Sequence, residues 1–219
     1  IEDGGSISHT YYAQALTDGI IRTQENVGAF RSQMLNSHNG KLLRISPVTG
    51  DGIASNPFYD ASAPRSAKSR VWALGFRNPF RVSVKPGTGS TNPLTGDIGE
   101  VFVGDVGWNL WEELNIVKAP GTNFGWPLYE GHTEQTGYTA FETQNGDEPN
   151  TFGTCSGRAN YRFKDLLRQD NAAGDKSVYN PCNSSQLIGT NNRYIHARPA
   201  IDWRHGQDVA RVGKFNTSG

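Results

Sequence analysis

An excess of charge of either sign is absent from this chain: 21 lysines and arginines stand against 21 aspartates and glutamates over 219 residues. That balance excludes a general electrostatic attraction to nucleic acid or to an anionic membrane. No run of 18 apolar residues occurs, so no membrane-spanning helix is expected. Cysteine is scarce. Cys155 and Cys182 are the only two, and no CxxC or HxxxH spacing accompanies them, so a metal site would need other ligands. Both lie in a polar stretch rich in Gly, Asn and Thr, where a pair either staples the loop or stays as free thiols. A staple implies an oxidising compartment, and so a secreted or periplasmic protein. Methionine occurs once, at Met34, and the first residue is Ile with no basic-then-apolar leader. The last residues, Phe215 to Gly219, are turn formers with no closing strand, and the chain is expected to be a piece of something longer.

Hydrophobic residues are few for a helical enzyme, at 35%, whereas 26 glycines and 11 prolines punctuate the chain. That pattern predicts short strands and many turns. A weak helical patch falls near Ala13 to Leu16. Strands are predicted over Lys41–Ser46, Val71–Gly75, Arg81–Val84, Glu100–Gly104 and Glu113–Val117, with a long hairpin loop over Pro86–Asp97. From Gly131 to Ala197 periodicity is weak. A stretch that long without structure of its own is usually functional or an insertion. A short strand resumes within Arg198–His205.

Four turns gather residues capable of chemistry. Asp3-Gly4-Gly5 reads as a turn whose Asp caps its own backbone. Arg77-Asn78-Pro79 sets a permanently charged donor fork beside an amide that both donates and accepts; its plainer reading is an arginine paired with a structural carboxylate such as Glu112. Asp105 to Asn115 joins a glycine-bearing turn to Glu112 and Glu113, the mixture of carbonyls and carboxylates that a hard cation takes. Glu112 and Glu113 could equally edge a solvated strand, and Trp108 and Trp111 could be packing. In Asn123-Phe-Gly-Trp-Pro127, Gly125 is expected to supply a backbone geometry or a close approach, with Trp126 in the core. His205 at a strand end reads as a structural hydrogen-bonding residue rather than a general base.

Leu74 to Pro79, Asp105 to Asn115 and Asn123 to Pro127, in this order and spacing, resemble the soluble quinoprotein glucose/sorbosone dehydrogenase family. Asp3-Gly4-Gly5 looks like its Gly-Asp-Gly-Gly turn, with Glu2 in place of the first Gly. Phe80-Arg81 is similar to the aldose dehydrogenase branch; the glucose branch carries Gln after the Pro. The resemblance covers residues 1–5, 40–59 and 70–131 well and 198–206 loosely. It leaves unexplained an insertion at about 132–197 that bears both cysteines.

The resemblance implies an all-β fold: residues 1–219 as part of one six-bladed β-propeller built of four-stranded antiparallel blades. It implies quinone-dependent oxidation of an aldose sugar, with electrons passed to a separate acceptor. Asp3 would be catalytic. Arg77 and Asn78 would contact pyrroloquinoline quinone. The carbonyls of Gly107 and Trp108 would hold a calcium that also binds the cofactor, and Glu113 with the carbonyl of Phe124 a second, structural calcium. The family's catalytic histidine would lie before Asp3, and its cofactor-clamping Lys and Arg beyond Gly219, so this chain alone is not expected to be a complete enzyme. The alternative is an extracellular, calcium-stabilised propeller that binds a protein or glycan through the insertion and has no redox activity.

Overall fold

The computed structural model describes residues 12–151 and 157–212. A short helix, Tyr12–Thr17, opens the described chain. The largest sheet has five strands in the order Ala210–Val212, Ile201–Arg204, Trp111–Val117, Val101–Asp105, Pro79–Val84, every neighbouring pair antiparallel. Alternation dictates its central members. Val101, Val103 and Asp105 face inward from one strand, and Glu113, Asn115 and Val117 from the next, as the two-residue period of a strand requires.

A second, narrower ladder pairs Lys41–Leu43 with Val71–Leu74. It continues through single-residue bridges at Asn123 to Ile195–His196, which runs parallel to Arg168–Gln169. Trp72 and Ala73 from this ladder meet Val101, Val103 and Val117 of the large sheet in one apolar cluster, together with Phe76 and Phe124. Each such side chain contributes roughly 1.5–3 kcal/mol when fully buried. The two predicted strands on either side of Arg77-Asn78 therefore do not pair with each other. The first belongs to the ladder and the second to the large sheet, and the Arg77-Asn78 turn carries the chain between them.

The insertion is not structureless. It is built of hairpins, Gln144–Pro149 with Asn160–Arg162 and Ser177–Asn180 with Asn183–Thr190, which meet through Tyr161 and Val178 in one cluster with Leu166 and Ile195, while Phe163 packs with Phe30 and Leu128 in another. The chain then returns from the insertion to the large sheet, where Ile201–Arg204 pairs with Trp111–Val117, Asp202 opposite Glu113. Among the described residues no helix is long and apolar enough to cross a membrane.

Lys41 is buried at the start of the ladder, and its ammonium donates to the carbonyls of Ser32 at 2.7 Å, Asn39 at 2.6 Å and Arg31 at 3.1 Å. Burial holds its pKa well below the ordinary lysine value. The unfolded chain then takes up the proton more readily, so this group makes stability rise as pH climbs toward 10.5. Lys41→Met would remove all three hydrogen bonds, at about 0.5–1.5 kcal/mol apiece, while the Arg31 and Ser32 carbonyls still accept from the Met34 and Gly75 N–H groups. Urea unfolding is expected to show a loss of at least ~2 kcal/mol and a flatter pH dependence.

Candidate functional site

The Arg77-Asn78 turn is fixed by a buried acid. Asp105 ends the Val101–Asp105 strand on its inward phase, and its carboxylate accepts from the backbone N–H of Arg77 at 3.0 Å and of Asn78 at 2.7 Å. Burial pushes Asp105 up to about 7, against the pull of those two N–H groups and of the Arg77 charge. Arg77 in turn donates through one guanidinium nitrogen to the carbonyls of Val106 at 3.1 Å and Gly107 at 2.7 Å. Its guanidinium carbon lies 5.9 Å from the ring centre of Trp126. The half-buried Asn78 side-chain amide makes no hydrogen bond within the described residues, so it presents both a donor and an acceptor.

Glycines permit this convergence. A Cβ on Gly75 (φ +80°) would meet the Asn123 side-chain oxygen at 2.1 Å and the Gly125 nitrogen at 2.6 Å, so the Leu74–Pro79 and Asn123–Pro127 motifs touch backbone to backbone. Gly125 has φ +91° and lies against the His196 ring, which meets both expectations for it. Asn123 is buried and exchanges amide hydrogen bonds with Gln33 at 2.7 and 3.0 Å.

Across the large sheet the buried acids stand in one row. Asp105 is opposite Glu113, and Glu113 is opposite Asp202. Asp202 is neutralised by Arg211, which donates to both its oxygens at 2.9 and 2.6 Å. Glu113 has no such cation among its hydrogen-bond partners: it accepts from the Gly131 N–H at 2.6 Å and the Asn115 amide at 2.8 Å. Burial first, and the Asp105 charge second, push its pKa well above the usual carboxylate range. The Asn115 side-chain oxygen beside it is buried without a partner. An acid with unspent lone pairs next to an orphaned amide oxygen suits a hard cation. Among the described residues no group of three or more His, Cys, Asp or Glu is arranged to hold a metal, so a cation at Glu113 would depend on amide or carbonyl oxygens as well.

The structure thus joins Arg77, Asn78 and Gly107 in one hydrogen-bonded unit and sets Glu113 one strand away from it through Asp105. The Gly107 carbonyl already accepts from Arg77. Trp108 is 49% exposed, with its N–H bound to Glu130 at 2.8 Å. Phe124 is placed by its ring, 4.9 Å from Phe76 in the apolar cluster, and by its N–H to Leu74. Glu112 does not edge a solvated strand; it accepts from the Gly107 N–H at 3.1 Å and contacts His205 at 2.9 Å, the structural role expected of that histidine. Trp126 is buried. Asp3 and Cys155 lie outside the described residues. Cys182 sits between the Ser177–Asn180 and Asn183–Thr190 strands, its N–H bound to the Asn180 side chain.

Sequence reasoning passed over Asp105, Glu130 and Asp202 as site builders. The signal was available for one of them: Asp105 follows Val101 and Val103 on the inward phase, whereas the strand that carries Asp202 shows no alternation. A carboxylate on a buried phase has a partner to find.

A family model described as Glucose / Sorbosone dehydrogenase matches residues 18–155. The chain is 29% identical over 138 residues to the HIPL2 protein of Arabidopsis thaliana, covering 59% of this chain. It is 33% identical over 76 residues, 35% of the chain, to the HIPL1 protein of the same plant. It spans only 16% and 9% of the length of those two curated relatives. Among solved structures it is similar to the PQQ-bound aldose sugar dehydrogenase of Streptomyces coelicolor, at 31% identity and TM-score 0.36 over 48% of this chain and 25% of that one. It is also similar to the soluble aldose sugar dehydrogenase of Escherichia coli in its apo form, at 26% identity and TM-score 0.36 over 51% and 28%.

Proposed function

The chain belongs to the glucose/sorbosone dehydrogenase family, and from that premise we propose that the full-length protein oxidises aldose sugars with pyrroloquinoline quinone and passes the electrons to a separate acceptor. The observation that carries this reading is the Arg77-Asn78 turn, locked by Asp105 and presenting a charged fork beside an unspent amide. The quinone, when bound, supplies the acceptor for the hydride of the sugar's anomeric carbon. Arg77 and Asn78 would hold and orient it through its oxygens, and the fixed positive charge of Arg77 favours any negative charge that develops there. Asp3 is proposed as a catalytic residue.

Calcium is proposed at two places. The Gly107 and Trp108 carbonyls would hold one ion next to the quinone, and Glu113 with the Phe124 carbonyl the other. Part of a six-bladed propeller is the proposed architecture. Phe80, Val82 and Val84 on the edge strand are more than half exposed, and an apolar edge of this kind needs covering by further sheet. A Cys155–Cys182 bridge and a secreted or periplasmic site complete the proposal.

One observation favours the non-redox alternative. The insertion and Thr122 line an open cavity of about 200 Å³ that includes Asp170, Lys176, Asn192 and Ile195, a place for a glycan or a peptide side chain.

Titration of the full-length protein with pyrroloquinoline quinone and calcium, followed by absorbance, separates the two. Stoichiometric, calcium-dependent binding is expected. A folded, complete protein that binds no quinone would be the calcium-stabilised binding module instead.

A further inference from the structure

Glu130 is a buried acid that the proposed chemistry does not use. It is 2% exposed, and one of its oxygens accepts from four successive backbone N–H groups: Trp108 at 2.8 Å, Asn109 at 3.0 Å, Leu110 at 3.0 Å and Trp111 at 3.2 Å. The other oxygen accepts from the Gln135 side-chain amide at 2.7 Å. Gln135 is itself buried, and its backbone carbonyl receives the N–H groups of Tyr138 and Thr139 at 2.9 and 3.1 Å. One carboxylate therefore fixes two segments distant in sequence: the 108–111 turn and the helical turn Thr136–Thr139. Gly107 has no room for a side chain here, because a Cβ would fall 2.9 Å from the same Glu130 oxygen and 1.6 Å from the Trp111 carbonyl oxygen.

The two segments bring three aromatic rings together. Trp108 and Tyr138 are 5.4 Å apart, Trp126 and Tyr138 5.3 Å, and Trp108 and Trp126 6.3 Å, each pair edge to face. Trp126 forms the buried base and carries the Arg77 guanidinium; Trp108 is half exposed. The platform is thus continuous with the Arg77–Gly107 unit. A packing tryptophan would turn inward with its strand, whereas this one stands outward on a turn whose backbone is pinned by four hydrogen bonds to a single acid.

We propose that Trp108 and Tyr138 form an aromatic subsite that takes the apolar C–H face of the aldose ring, and that Glu130 is its positioning residue. This rests on the sugar dehydrogenase reading above. A pyranose has one face rich in C–H groups, which match the negative face of an indole ring. A platform next to Arg77 would hold that ring against the group Arg77 and Asn78 orient. Because stacking acts on the bound sugar before and during reaction alike, its loss acts mainly on KM.

The test uses full-length protein loaded with quinone and calcium, assayed with D-glucose and other aldoses through an artificial electron acceptor. Trp108→Ala is expected to raise KM about tenfold, a larger change than in kcat, and Trp108→Phe to restore most of the loss. Glu130→Gln keeps one acceptor oxygen for the 108–111 turn, and the Gln135 amide can turn to suit the other atom. It is expected to raise KM in the same direction, but to add nothing in the Trp108→Ala background, the mark of a residue acting through Trp108. Unchanged KM in a Trp108→Ala enzyme that turns over would overturn the subsite. If Glu130→Gln does not fold, the Trp108 pair decides. If wild type turns over no aldose, the dehydrogenase reading fails separately. Saturation-transfer NMR with D-glucose then decides the subsite: transfer in wild type but not in Trp108→Ala supports it, and no transfer in wild type removes it.

Discussion

Arg77→Ala is expected to reduce aldose turnover by the full-length, quinone-loaded protein by about 100- to 1000-fold, the range seen when one preorganised donor is removed from a reacting centre. The fold should survive. Arg77 donates to the carbonyls of Val106 and Gly107, and loss of those bonds costs on the order of 1–3 kcal/mol. The turn itself would stay in place, because Asp105 grips the backbone N–H groups of residues 77 and 78 and not the side chain. Arg77→Lys keeps the charge without the planar fork and should recover part of the quinone affinity and little of the rate. Thermal melting, quinone binding and initial rates together separate these effects. Full turnover by a folded Arg77→Ala protein would take Arg77 out of the site.

Legibility in the sequence was greatest where the two-residue period and the turns agree. The strands at 71–74, 101–105 and 111–117 and the motif order were readable because Val, Trp and Leu alternate or cluster between glycine turns. The assignment of those strands to sheets was not readable. Val71–Leu74 and Pro79–Val84 look like the arms of a hairpin, yet Gly75 lets the chain pass against Asn123, and the two strands part company into different sheets. Pairing of that kind depends on contacts between residues far apart in sequence, and no local pattern encodes them. The insertion's hairpins were hidden for a different reason. Gln144–Pro149 carries Gly, Asp and Pro, and Asn183–Thr190 is mostly exposed, so neither displays an alternating apolar face. The site followed the same division. The turn residues Arg77, Asn78 and Gly107 stood out as motifs, but the backbone N–H groups through which Asp105 holds residues 77 and 78, and Glu130 holds residues 108–111, are not displayed by a sequence.

Glu113→Gln is expected to change stability in opposite directions with and without calcium. In metal-free protein, Glu113 is a buried acid whose charge is opposed by burial and by Asp105. Its folded pKa lies above its unfolded value, so the unfolded chain releases the proton first and stability falls as pH rises through that interval. Glutamine removes the charge and keeps the shape. Its oxygen can still accept the Gly131 N–H, and its NH2 can meet the Asn115 side-chain oxygen, now without a partner, once that amide turns. The metal-free variant should therefore melt at or above the wild-type temperature, by a margin that grows from pH 5 to pH 8. Calcium reverses the order. A cation at 100 times its dissociation constant adds about 2.7 kcal/mol to the folded state, roughly 5–10 °C for a domain of this size. The variant lacks the carboxylate proposed to hold the ion, so wild type should gain that shift and Glu113→Gln very little. Melting both proteins at pH 8 with chelator and with millimolar calcium checks the crossing. Equal calcium shifts in the two would place the ion elsewhere and leave Glu113 as a buried acid with only structural partners.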